Sequence, residues 1–308
     1  MALSYNSSKN KPTYTGTPRK NLVLGTAGLG GAWKPIDPEE SVATILYAIQ
    51  NGIHRIDTAP AYDMAEEIVG KAIRKLNRKK TFISTKVGKL KGKASDAKLN
   101  DYRLDVMKDS IAQSMERLMC NKIDLLFLHE PEKVPVHQIE EVVLFLEQLK
   151  RNNKVSYLGF GGIPPKSYWP YMKKGLFDVV MGYNNLDACC FDGLHEDIPF
   201  YKKNNINIYQ ASLLHMGLLG NRYEKYIRNP PEWISKNAVE NAILLKDLAK
   251  RSEIYLPTLA HRFALSVKEI DWIVLGPRNM EQLKKSIEDV AKGPLDRSCF
   301  RGLIALHK

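Results

Sequence analysis

Ile53-His54-Arg55-Ile56-Asp57-Thr58-Ala59-Pro60-Ala61-Tyr62 reads as a buried strand that stops at a polar rim. Residues 54–59 are bracketed by Gly52 and Pro60. Beyond them, 64–76 place Ile68, Ala72, Ile73 and Leu76 on one helical face. Asp57 thus falls at the C-terminal end of a strand, and Tyr62 in the loop behind it. Strand, turn and amphipathic helix make one unit, and that unit recurs along the chain.

Working outward, short apolar runs that read as strands occupy 22–27, 54–59, 82–87, 123–129, 155–161, 178–183, 207–213 and 272–276. Helical periodicity lies between them at 64–76, 106–118, 139–150, 167–174, 238–250, 259–264 and 280–290. A further helix after Asp37-Pro38-Glu39-Glu40 has an Asp N-cap, a first-position Pro, and Val42, Ile45, Leu46 and Ile49 as its apolar stripe. Eight strands alternating with helices predict an α/β fold of the (β/α)₈ TIM-barrel type, with one barrel domain over 21–308 and a polar tail over 1–20. The connection over 214–235 reads as a long structureless stretch, a length usual for lids and binding loops.

The chain has 308 residues and 44% hydrophobic composition, enough for one large core. No leader-like segment is evident, and no apolar run approaches the roughly 20 residues that span a bilayer. A soluble, cytoplasmic protein without membrane contact is expected. Four cysteines without C-x-x-C spacing predict reduced thiols rather than a disulfide framework or a metal site. The net charge of +12 raises nucleic acid as a partner. Its densest segments, 74–80 and 86–93, lack interleaved aromatics, so they read as a solvated basic face that favours an anionic small molecule over nucleic acid.

Polar residues end several predicted strands: Asp57, Lys86 after Phe82-Ile83-Ser84-Thr85, His129 after Leu125-Leu126-Phe127-Leu128, and Asn184 after Val179-Val180-Met181-Gly182-Tyr183. In a barrel these ends converge on the face that carries chemistry. Alone, each has a bland reading as a cap, a core edge or a satisfied polar group; together they form a constellation. Lys86 at the end of an apolar strand needs a counter-ion, which Asp57 supplies. A cation beside Tyr62 is expected to lower the phenol's pKa and make it a proton donor and acceptor near neutral pH. The turn Gly25-Thr26-Ala27-Gly28-Leu29-Gly30-Gly31 is not a Rossmann fingerprint, because Ala32-Trp33-Lys34-Pro35 intervenes before the helix. It reads as a turn that gathers Gly28 and Trp33 at the barrel mouth.

The pattern Gly52-x-x-Arg55-x-Asp57-Thr58-Ala59-x-x-Tyr62, with Thr85-Lys86-Val87 and Leu126-x-Leu128-His129-x-Pro131, resembles the aldo-keto reductases over about 22–290. The resemblance implies an NAD(P)-dependent oxidoreductase in which Tyr62 is general acid or base, Lys86 tunes it, Asp57 pairs with Lys86, and His129 orients the substrate oxygen. Trp33 and Asn184 are the further substrate-side candidates. Ala211-Ser212-x-Leu214-x-Met216-Gly217-Leu218-Leu219 and Pro230-Pro231-Glu232-Trp233 resemble the branch with L-galactose dehydrogenase, L-fucose dehydrogenase and related aldose 1-dehydrogenases. That implies oxidation of an aldose at C1 to a lactone. A reductase of small aldehydes or ketones and a regulatory barrel like the potassium-channel beta subunits are the alternatives.

Cofactor contacts implied by the resemblance fall on Gly28, Gly161, Gly162, Ser212, Leu214, Gly217, Gly276, Arg278 and Gln282. Gly161-Gly162 stands where many relatives carry Ser-Asn for the nicotinamide carboxamide, and Ala211 replaces a common stacking aromatic. Gly276-Pro277-Arg278-Asn279-Met280-Glu281-Gln282 opens the last predicted helix, where free N–H groups suit an anion. Gly276 and Gln282 occupy positions that are cationic in NADP users, so Arg278 is the one candidate cation there and the balance leans to NAD over NADP.

Overall fold

The structure is a computed structural model; it describes residues 21–76, 81–92, 96–191 and 196–307. The polar tail expected over 1–20 and parts of both basic segments lie outside the described residues. Eight parallel strands close in sequence order into a barrel: β1 (Leu22–Gly25), β2 (Arg55–Asp57), β3 (Phe82–Val87), β4 (Ile123–His129), β5 (Val155–Gly161), β6 (Val179–Tyr183), β7 (Asn207–Ala211) and β8 (Trp272–Leu275). Each coincides with an expected run, shortened at some ends by a residue or two. The helices are α1 (Pro38–Gln50), α2 (Ala65–Arg74), α3 (Leu104–Arg117), α4 (Ile139–Arg151), α5 (Trp169–Lys173), α6 (Asp197–Lys203), α7 (Tyr223–Arg228), α8 (Lys236–Arg251), α9 (Leu256–Ser266), α10 (Met280–Ala291) and α11 (Arg297–Leu306). Among the described residues no helix is long and apolar enough to cross a membrane.

The period-two alternation of each strand sorts its side chains into two cores. Leu24, Ile56, Ile83, Leu126, Leu128, Leu158 and Ile208 turn outward into the layer shared with the helices. Val23, Leu125, Phe127, Val179, Met181, Tyr209 and Val274 fill the barrel itself. Phe127 needs the bare Gly159 opposite, where a Cβ would stand 2.7 Å from its ring. The floor of the barrel is cationic. The Arg55 guanidinium lies 4.0 Å from the Phe82 ring and 3.9 Å from the Trp272 ring, and it donates to the Tyr209 hydroxyl at 2.9 Å. Arg55 therefore serves packing, at the end of β2 opposite Asp57.

Differences from expectation have local causes. α1 starts as read, with Asp37 Oδ1 accepting from the Glu39 N–H at 2.9 Å. The connection over 214–235 is not structureless; it contains a 3₁₀ turn (His215–Gly217) and α7. α6 and α11 were not anticipated. Pro199 in the first turn of α6 looks like a breaker although its missing N–H is harmless there. α11 carries a readable signal, Asp296 accepting from the Cys299 N–H at 2.8 Å.

Candidate active site

β2 and β3 pair with Asp57 opposite Ser84, which puts Lys86 one inward-facing position further along the barrel. Lys86 Nζ lies 2.6 Å from Asp57 Oδ2 and donates to the Thr58 carbonyl at 2.9 Å; the Ser84 hydroxyl donates to Asp57 Oδ1 at 2.8 Å. Both charges are buried, at 2% exposure each, so the ion pair is the condition for either to be there. Burial pulls the Lys86 ammonium down, yet the Asp57 carboxylate and Tyr62 more than offset it and its pKa stands above the ordinary lysine value. Lys86 is a fixed cation at neutral pH.

Tyr62 ends a 3₁₀ turn (Pro60–Tyr62) directly after β2. Its ring lies 4.8 Å from Lys86 Nζ and 6.1 Å from the His129 ring, edge to face at 87°. Burial pushes the phenol up, Lys86 pulls it down and Asp57 pushes again, so the net shift is upward. This corrects the expectation that the cation alone would carry Tyr62 toward neutrality, because desolvation is the larger influence. His129 ends β4. Burial and the Lys86 and Lys89 ammonium groups hold its imidazole well below the ordinary value, so it is neutral, and its buried Nδ1 has no hydrogen-bond partner among the described residues.

The turn that carries Tyr62 is seated on Gly30. The Met64 N–H donates to the Gly30 carbonyl at 3.0 Å, and a Cβ on Gly30 would stand 2.2 Å from the Tyr62 carbonyl oxygen and 2.4 Å from Ala65 Cβ. Gly30→Ala is therefore expected to shift the Tyr62 turn. A cost of about 1–3 kcal/mol should appear in a denaturant melt, together with slower turnover. Unchanged stability and turnover would show that this crossing has slack.

A second polar group behind the first was missed from sequence. Lys89, expected on a solvated basic face, is 3% exposed and lies 2.5 Å from Glu130 Oε1. Asn100 Nδ2 donates to Glu130 Oε2 at 2.8 Å, and the Tyr102 hydroxyl lies 2.9 Å from the carbonyl oxygens of both His129 and Glu130. These contacts fix the left-handed Glu130 (φ 49°) and with it the end of β4. On the outer face of β3, Thr85 donates to Glu66 at 2.6 Å, and Glu66 also accepts from Arg117. The Asp57 partner of Lys86 was legible from the strand ends, whereas Lys89 takes its counter-ion from Glu130, 41 residues away.

The remaining candidates lie on the same rim. Gly162 (φ +144°) is covered by the β4 loop, where a Cβ would stand 2.9 Å from Pro131 Cδ and from Glu132 Oε2; one on Gly161 would make ordinary contact with Lys86 and Phe127. Asn184 follows β6 in a left-handed conformation (φ 52°), its buried Oδ1 without a hydrogen-bond partner among the described residues. Gly28 lets the β1 turn seat against the β8 segment, since its Cβ would lie 2.7 Å from Arg278 Cγ. Trp33, expected on the substrate side, lines with Gly28, Arg278 and Asn279 a cleft of about 380 Å³. Gly276 faces open space. Gln282 is engaged, its Oε1 accepting from the Arg278 N–H and its own N–H donating to Asn279 Oδ1, both at 3.0 Å. Ser212 and Gly217 adopt positive φ (56° and 105°), while Leu214 tucks in beside Gly220. The capped N-terminus of α10 with Arg278, and the unpartnered polar atoms of His129 and Asn184, fit the phosphates and polar groups of a dinucleotide and its substrate.

A sequence model described as the Aldo/keto reductase family matches residues 21–305. L-galactose dehydrogenase of Arabidopsis thaliana is 27% identical over 300 residues, covering 90% of this chain and 86% of that protein. NADH-specific methylglyoxal reductase of Escherichia coli (strain K12) is 28% identical over 290 residues, covering 86% and 88%. D-arabinose 1-dehydrogenase of Saccharomyces cerevisiae is 28% identical over 290 residues, covering 87% and 82%.

Proposed function

This chain belongs to the aldo/keto reductase family, and on that premise we propose that it is a nicotinamide-dependent dehydrogenase oxidising an aldose at C1 to the lactone. The observation that carries the reading is the buried cluster of Asp57, Lys86 and Tyr62 with neutral His129 beside it. Relatives described as L-galactose dehydrogenase and D-arabinose 1-dehydrogenase support a sugar as substrate.

A bound nicotinamide supplies the hydride acceptor. Tyr62 acts as the base in its phenolate form, which the Lys86 ammonium beside it stabilises; it takes the proton of the anomeric hydroxyl and becomes the phenol. Asp57, braced by Ser84, keeps Lys86 charged and aimed. His129 orients the reacting oxygen by hydrogen bonding and, being neutral, adds no charge against Lys86. Asn184 offers its amide oxygen to the sugar. Gly28, Gly161, Gly162 and the turn with Ser212, Leu214 and Gly217 shape the cofactor's path; Gly276, Arg278 and Gln282 frame its adenosine end. With Gln282 closing a helix cap, Arg278 remains the cation there, and NAD is favoured over NADP.

A second reading, reduction of small aldehydes, is favoured by one observation. The raised Tyr62 pKa keeps the phenol protonated and ready to donate; a relative described as a methylglyoxal reductase is consistent with it. The deciding measurement is absorbance at the reduced-nicotinamide band with NAD or NADP and L-galactose, L-fucose or D-arabinose. Growth of the band, faster with NAD and increasing with pH, is expected. A silent panel with active methylglyoxal reduction would establish the second reading. Silence in both directions with cofactor bound would point to a regulatory barrel.

A further inference from the structure

The loops after β6 and β7 share a buried polar cluster that the proposed chemistry does not use. Asp187 Oδ2 lies 2.7 Å from His215 Nδ1, while Asp187 Oδ1 accepts from the backbone N–H of Cys189 at 2.9 Å and from its thiol at 3.1 Å. Asp187 and Cys189 are 1% exposed and His215 is 3% exposed. The three side chains could offer ligand atoms within 4.8 Å of one another. They already satisfy each other: both carboxylate oxygens are occupied, and burial followed by the adjacent carboxylate holds Cys189 as a thiol. The arrangement is that of a fastening.

What it fastens is a strained turn. Ser212, His215 and Met216 have φ of 56°, 45° and 52°, followed by Gly217 at 105°. Non-glycine residues rarely adopt this conformation, and such runs persist where surrounding contacts enforce them. The turn's backbone bonds are local: His215 N–H to Ser212 O at 2.7 Å and Gly217 N–H to Leu214 O at 2.8 Å lie within it, while Leu219 N–H to Leu214 O at 3.0 Å and Arg222 N–H to Gly217 O at 3.1 Å reach only the residues that follow. The His215–Asp187 contact crosses to the neighbouring loop. That loop is anchored in turn, since Asn241 Nδ2 of α8 donates to the Cys189 carbonyl at 3.1 Å and His307 Nε2 lies 2.9 Å from the Ala188 carbonyl oxygen. Trp233 lies over the His215 ring at 6.5 Å.

We propose that Asp187 and His215 form a latch holding residues 212–217 in the shape that receives the cofactor, so that His215 is a positioning residue for cofactor binding. This rests on the reading of that turn as a cofactor segment. The latch acts on affinity and leaves the chemistry to Tyr62 and its neighbours.

The test uses the full chain and three variants: His215→Leu, Asp187→Asn and His215→Gln, the last keeping a donor. Amide hydrogen exchange without cofactor, NAD affinity by tryptophan fluorescence, and KM and kcat are measured together. In His215→Leu and Asp187→Asn, exchange over 212–219 should accelerate. The NAD Kd and KM should rise about tenfold or more, the scale of a lost charged hydrogen bond, with kcat held within about threefold. His215→Gln should recover part of the affinity. Asp187→Asn conserves volume and carries the test if His215→Leu does not fold. Unchanged exchange and Kd in folded variants, or a kcat loss as large as the rise in Kd, would overturn the latch while leaving the proposed function standing. A wild-type protein that binds neither NAD nor NADP would overturn both.

Discussion

Tyr62→Phe is expected to lower turnover by on the order of 10² or more while NAD binds within about twofold of the parent, the scale of a lost general acid or base. The substitution removes one oxygen and leaves the ring, so the edge-to-face contact with His129 and the approach to Lys86 Nζ survive. The Lys86–Asp57 pair keeps its Thr58 and Ser84 partners. Only the proton-transfer group is lost. Turnover near that of the parent would remove Tyr62 from the reaction and leave the constellation as a structural ion pair with an aromatic lid.

Lys86→Met should have the second-largest effect, on two observables at once. Asp57 would keep the Ser84 hydroxyl but lose its counter-ion in a site 2% exposed. Breaking a buried pair from one side costs about 3–5 kcal/mol, which a denaturant melt would read directly. The raised Lys86 pKa makes the pair's contribution fully present below the unfolded lysine value of about 10.4, and lost only as pH climbs through the folded value. The stability gap between parent and variant should therefore be nearly constant from pH 6 to about 9.

The catalytic effect runs through Tyr62. Lys86 is what opposes desolvation there, so its loss must raise the phenol further and move the alkaline limb of the proposed sugar oxidation to higher pH. The pH–rate profile of the residual activity is the check. A profile that keeps its position would mean that Lys86 does not tune Tyr62, whatever the melt shows.

Much of this protein was legible from its chain. The strands are short, mostly apolar runs, several of them ending on or next to a polar or small residue, and the period of two dictates which side chains look into the barrel. Parallel closure then brings the strand ends together, so Asp57, Lys86 and His129 meet as their positions in β2, β3 and β4 require. Tyr62, five residues beyond Asp57, is carried to the same rim by a turn that starts at Pro60.

Tertiary structure decided what depends on burial and on partners remote in sequence. Lys89 looked like one more surface lysine until Glu130, 41 residues away, neutralised it. The direction of the Tyr62 pKa followed from how deeply the barrel mouth desolvates it, a quantity no local motif contains. Gln282 was read as a neutral residue where NADP users place a cation; that its amide oxygen accepts from the Arg278 N–H at the start of α10 came only with the fold. Asp187 and His215 carried no signal at all, lying 28 residues apart on two loops of irregular conformation. Periodicity along the chain determines which element forms and which face it buries; the dielectric around a group and the identity of its counter-ion come into being only when the elements pack.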